Sequence, residues 1–230
     1  SSDLFVKFAT AVATYESSAR FNPFASKFDD VLRGKAHFTP LEEKGFALFK
    51  DPEKGNCLAC HVGVEKSREP RDWLFTDFTY DALGAPKNKL IPATTGPHKE
   101  PDLGLCKRPG IAAIAPAGFD VDSLCGAFKV PTLRNVAVTG PYLHNGVFTK
   151  LRDVVAFYAT RDTNPARWYP KAKQKFNDLP SKYRDNVNIE EVPYDRKIGE
   201  KPRLNEAEID AIVAFLETLT DRPADYAAKP

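Results

Sequence analysis

A mainly α fold with long irregular loops is predicted by three features of this 230-residue sequence. Apolar residues recur at helical spacing near both ends of the chain. Two of the helix starts carry complete capping signals. Alternating strand patterns are scarce, and the segments between helices are rich in proline and glycine.

In chain order, Leu4, Phe8, Val12 and Tyr15 predict an amphipathic helix over residues 3–19. Residues 20–38, with Asn22-Pro23 and Gly34, are expected to form an irregular linker. Thr39-Pro40-Leu41-Glu42 starts the next helix: threonine caps, proline takes the first helical position and Glu42 closes the capping box. That helix is expected to reach Lys50, with Phe46 and Phe49 on its apolar side, and to stop at Asp51-Pro52. Residues 63–128 are weakly periodic, and so long an irregular stretch is expected to wrap around something. Thr149 can cap a helix over 150–160 that carries Leu151, Val154, Val155 and Tyr158 on one face. Residues 161–203 are polar and punctuated by Pro165, Pro170, Pro180, Pro193 and Pro202. Asn205-Glu206-Ala207-Glu208 opens the last helix, where Ile209, Ile212, Val213, Leu216 and Leu219 form an apolar stripe. The helices at 41–50 and 206–219 are expected to pack against each other beside residues 57–62. The division expected is an N-terminal helix and linker at 1–38 and one domain at 39–230.

Composition narrows the class. Hydrophobic residues are 42% and charged residues 28%, as in ordinary globular proteins. The net charge of +2, without a basic and aromatic stripe, argues against nucleic acid. No apolar run is long enough for a membrane-spanning helix. The first residue is serine and the chain contains no methionine, which points to a processed N-terminus or a segment of a longer chain.

The cysteines carry the chemistry. Cys57-Leu58-Ala59-Cys60-His61 reads as a c-type haem attachment site. Two thiols on one helical turn can reach the two vinyl groups of one porphyrin, and the adjacent imidazole can bind the iron. A redox dithiol or half of a metal site is the competing reading, but no βαβ pattern precedes residue 57. Covalent haem attachment takes place outside the cytoplasm, where disulfides persist. Cys106 and Cys125 are therefore expected to be bridged, worth about 3 kcal/mol on a chain-entropy estimate; two free buried thiols are the alternative. A periplasmic or otherwise exported protein follows, and the amphipathic N-terminus fits a mature chain without its signal peptide.

An iron held by His61 has a sixth position, and methionine cannot fill it because there is none. The remaining candidates are His37, His98, His144, Tyr158, another tyrosine, or nothing. His37 and His98 lie in loops of the kind that carry surface histidines. His144, in Pro141-Tyr142-Leu143-His144-Asn145-Gly146, can support a haem edge or be a satisfied structural histidine. Tyr158, on an apolar helix face, normally reads as core.

The stretch Phe128-Lys129-Val130-Pro131-Thr132-Leu133-Arg134-Asn135-Val136, continued by Thr139-Gly140-Pro141-Tyr142-Leu143-His144-Asn145-Gly146, resembles the hallmark of bacterial dihaem cytochrome c peroxidases and their MauG-type relatives. Asp30-Val31-Leu32-Arg33-Gly34 and Gly45-Phe46-Ala47-Leu48-Phe49 stand in the matching order. The resemblance is to the C-terminal half of that family and implies a cytochrome c-like domain. It implies that Cys57 and Cys60 form the thioethers, that His61 is the proximal ligand and that Tyr158 stands where MauG-type members place a distal tyrosine. Thr139 and Pro141 match positions whose carbonyls bind calcium between two haems, a third ligand coming from the other domain. Arg134 is a candidate partner of a haem propionate, or else part of a surface ion pair.

The function implied is that of a c-type haem oxidoreductase with one covalent haem. It would be the electron-handling domain of a peroxidase or MauG-type enzyme, with hydrogen peroxide as substrate. A second haem domain or subunit and a redox partner protein would be its partners. No catalytic acid or base is assigned within this chain. A single-haem, low-potential electron carrier is the alternative, and a third reading has the long loops docking a partner subunit.

Overall fold

A computed structural model describes residues 2–18, 20–92, 100–170 and 175–222 of the chain. Its α-helices are α1 (Ser2–Glu16), α2 (Lys27–Leu32), α3 (Pro40–Lys50), α4 (Ile111–Ile114), α5 (Leu151–Thr160) and α6 (Glu206–Glu217). The two short strands, β1 (Tyr80–Asp81) and β2 (Phe128–Lys129), pair antiparallel, Tyr80 opposite Lys129 and Asp81 opposite Phe128. The fold is mainly α and cytochrome c-like, with irregular loops and short 3-10 turns joining the helices.

Local signals set the helix starts. The Glu42 carboxylate accepts from the Thr39 N–H at 2.7 Å, and the Thr39 hydroxyl accepts from the Glu42 N–H at 3.3 Å. Asn205 and Glu208 make the same reciprocal pair at 2.9 and 3.0 Å. Each cap satisfies orphan N–H groups of the first turn, typically worth about 1 kcal/mol. The expected Thr149 cap is not used: α5 starts after Lys150, with no side-chain cap.

Helices α3 and α6 pack against each other, as their stripes predict. A Cβ on Gly45 would lie 1.9 Å from the Ala211 carbonyl oxygen, so only glycine permits this approach. Phe28, Phe49, Trp73, Phe75, Ile209, Ile212 and Phe215 fill the adjoining core. Each large side chain buried here contributes roughly 1.5–3 kcal/mol. A second core surrounds the Cys106–Cys125 disulfide and includes Phe157, Tyr169, Leu179 and Tyr183.

Two N-terminal expectations change. The 20–38 linker is partly helix, because Ser26 and Asp29 form a capping box for α2. Its Phe28 is buried against Trp73, Phe75 and Phe215, so a boundary at residue 38 cuts through one core. In contrast, α1 is a helix whose apolar stripe is exposed, Leu4 at 73% and Phe8 at 67%.

Candidate cofactor site

One apolar-walled cavity of about 450 Å³ lies between the two cores. Residues from α3, α5, α6, both strands and three long loops line it. Its size suits a small-molecule or cofactor ligand.

The cysteine motif forms one wall. Cys57–Ala59 makes a single 3-10 turn, entered through Asn56 in the left-handed region at φ 49° and closed by the His61 N–H on the Cys57 carbonyl at 2.9 Å. A Cβ on Gly55 would meet the Leu48 carbonyl at 2.6 Å, so glycine lets the turn sit against α3. Cys57 and Cys60 are not bonded to each other. Burial pushes their thiols up to about 12 and about 11, respectively, so both sulfurs are neutral thiols.

His61 is oriented from behind. Its Nδ1 is 3.0 Å from the Phe75 carbonyl oxygen. A carbonyl only accepts, so Nδ1 carries the proton and Nε2 keeps its lone pair. Burial lowers the imidazole's pKa against the pull of that carbonyl, favouring the neutral, ligating form.

Tyr158 reaches the same cavity from α5, beside Leu151, Val154 and Val155. The face predicted as an apolar stripe is thus cavity wall. Burial holds the Tyr158 hydroxyl well above the ordinary phenol range, with Cys57 adding to the effect. Thr139, Pro141 and His144 also line the cavity. The His144 Nε2 is 2.9 Å from Asp178 Oδ2, and its ring stacks on Phe128 at 3.6 Å between centroids. That makes it a satisfied histidine at the cavity edge. Among the described residues, no group of three or more His, Cys, Asp or Glu side chains is arranged to hold a metal ion.

Other predicted residues lie elsewhere. The Arg134 guanidinium pairs with Asp29 at 3.0 Å and donates to the Trp73 and Pro70 carbonyls, and Arg134 is not on the cavity wall. These contacts tie Arg134 to α2 and to the 70–73 segment. His37 is exposed and off the wall. His98 lies outside the described residues. The sequence reading missed Tyr194, which lines the cavity with its ring 5.7 Å from that of Tyr158. It sits in a polar, proline-rich segment with no periodicity to single it out. Asp81 and Glu191, bridged by the Asn188 amide, were missed for the same reason.

The donor set is chemically coherent: two thiols on one turn, an imidazole nitrogen with its lone pair free, and a phenol on a separate element. It fits a flat macrocycle held by two thioethers, with axial ligands to a central iron.

No family model matches the chain. It is 40% identical over 217 residues to the methylamine utilization protein MauG of Paracoccus denitrificans (strain Pd 1222), covering 93% of this chain and 51% of that protein. The fold matches the crystal structure of the diheme peroxidase BthA from Burkholderia thailandensis E264 with a TM-score of 0.80 and 44% identity, over 89% of this chain and 48% of that one. Cytochrome c551 peroxidase of Nitrosomonas europaea (strain ATCC 19718 / CIP 103999 / KCTC 2705 / NBRC 14298) is 26% identical over 221 residues, 96% of this chain and 46% of that protein. The chain spans about half the length of these relatives. A mainly helical fold, a cavity walled by Cys-x-x-Cys-His and similarity running through nearly the whole sequence lead to one conclusion: this chain is related to about half the length of dihaem cytochrome c peroxidases and MauG proteins.

Proposed function

We propose that this chain is the electron-handling, haem c-binding half of a peroxidase or MauG-type oxidoreductase that acts on hydrogen peroxide. The single observation that carries the reading is the cavity shared by Cys57, Cys60, His61 and Tyr158. Cys57 and Cys60 would hold one haem covalently, and His61 Nε2 and Tyr158 would be the protein ligands offered to its iron. The haem supplies redox chemistry at iron when bound. The protein's own part is to orient His61 through Phe75, to keep the cavity apolar, and to offer an oxygen ligand that favours ferric iron.

In this reading the chain corresponds to the C-terminal half of its relatives and works with a second haem domain or subunit. A redox partner protein completes the circuit. Thr139 and Pro141 offer carbonyls to a calcium ion at the junction, the remaining ligands being water and the other domain. The setting is periplasmic or otherwise exported, which the Cys106–Cys125 disulfide supports. Among the described residues, no helix is long and apolar enough to cross a membrane.

The test is made on protein matured with covalent haem. Intact mass and a pyridine haemochrome spectrum are expected to give one haem on this chain. Tyr158→Phe is expected to convert the ferric spectrum to a five-coordinate or water-ligated form. Peroxide turnover is expected only once a second haem domain is supplied. Colourless protein sinks the haem reading, and inactivity with both haems present leaves a simple electron carrier.

A further inference from the structure

Resting on Tyr158 as the axial ligand, we propose that Tyr194 is its positioning residue, donating the hydrogen bond that the Tyr158 oxygen receives when bound to iron. A phenolate oxygen inside an apolar cavity keeps lone pairs beyond the one on the metal, and burial without a donor is costly. Its surroundings must provide one.

Several other donors of the wall are already engaged. The hydroxyls of Thr132, Thr139 and Tyr142 donate to the carbonyls of Leu74, Val136 and Val136, respectively. Lys129 donates to the Val130 carbonyl, and His144 is paired with Asp178. The nearby carboxylates accept only when ionised. Neither Tyr158 nor Tyr194 has a hydroxyl hydrogen bond among the described residues, although buried phenols ordinarily find a partner.

Tyr194 is also held in place to serve. It is 5% exposed, and the Arg161 guanidinium lies 4.1 Å from its ring centroid. Arg161 is itself fully buried and fixed by Asp162 and by the Leu83 and Asn188 carbonyls. A cation against the ring draws electron density from the phenol and makes its hydroxyl a stronger donor. The tilt of 40° between the two tyrosine rings keeps them in contact along the cavity wall.

The experiment compares ferric, haem-loaded wild-type chain with Tyr194→Phe and Tyr158→Phe by resonance Raman spectroscopy and redox titration. Phenylalanine at 194 keeps the ring and its packing and removes only the hydroxyl. The iron–phenolate stretch is expected to rise in frequency and the midpoint potential to become more negative, because a phenolate without its donor binds ferric iron more strongly. The stretch of the unaltered protein is expected to shift between H2O and D2O, a measurement that stands even if the variant fails to load haem. An unchanged band in Tyr194→Phe together with no solvent isotope shift overturns the proposal. A band lost in Tyr194→Phe but kept in Tyr158→Phe makes Tyr194 the ligand itself and defeats the ligand assignment on which the proposal rests. A band untouched by Tyr158→Phe defeats that assignment too, so the two failures are distinguishable.

Discussion

At the scale of single residues, the tightest constraint is a charge without water. Asp29 has no exposed surface and is held by both terminal nitrogens of Arg134, at 3.0 and 3.1 Å, and by the Ser26 hydroxyl and N–H. Through its other donors Arg134 ties α2 to the Pro70 and Trp73 carbonyls, on the segment that leads to Phe75 and so to His61. Removing one partner of such a pair leaves an uncompensated buried charge, which costs about 3–5 kcal/mol. Arg134→Met is therefore expected to lower the melting temperature by on the order of 10 °C, and adding Asp29→Asn is expected to restore part of the loss. The absorption spectrum of the folded fraction should not move. A negligible loss of stability with a changed haem spectrum would return Arg134 to the propionate role. The sequence shows an arginine within the family hallmark but not its acceptor, which lies 105 residues away along the chain.

At the scale of elements, the helices that sequence marks best are those whose signals lie within four residues of one another. The Thr39–Glu42 and Asn205–Glu208 caps are local, so they survive whatever the rest of the fold does. The six-residue α2 is too short to show a period, and its Ser26–Asp29 box was lost among turn residues. Both caps also titrate. Burial pushes the Glu42 and Glu208 carboxyls up, but the capping N–H groups and the partners Lys27 and Lys54 outweigh it and hold both below their ordinary value of 4.5. A depressed folded pKa means stability that is present above 4.5 and lost as pH falls through the folded value. Glu42→Gln and Glu208→Gln are expected to cost about 0.5–1 kcal/mol each near neutral pH. In thermal melts the gap from wild type should close as the pH falls below 4.5 and the folded carboxyls become protonated. A gap that stays constant with pH would show that the carboxylate charge contributes nothing.

For the whole molecule, what sequence could reveal of the site was the part on contiguous residues. Cys57, Cys60 and His61 stand in one motif, and Tyr158 stands out once the helix stripe and the family resemblance are combined. Tyr194 and the Asp81–Glu191 pair reach the wall only because the 63–128 and 161–203 loops fold back over the cavity, and nothing local encodes that closure. These loops pack around a space, which makes the fold depend on what fills it. Without its cofactor, an apolar-walled cavity of this size leaves its wall exposed to water, which disfavours closure of the loops. Cys57→Ala combined with Cys60→Ala, expressed without haem, is thus expected to lose fixed tertiary packing around the cavity. The α3–α6 pair, whose contact does not need the cofactor, should keep its helicity. Near-UV circular dichroism should fade and a hydrophobic dye should bind, while the far-UV signal largely persists. A haem-free variant with a sharp, wild-type melting transition would mean that the loops close the cavity by themselves, and that cofactor loading and folding are separate events in this chain.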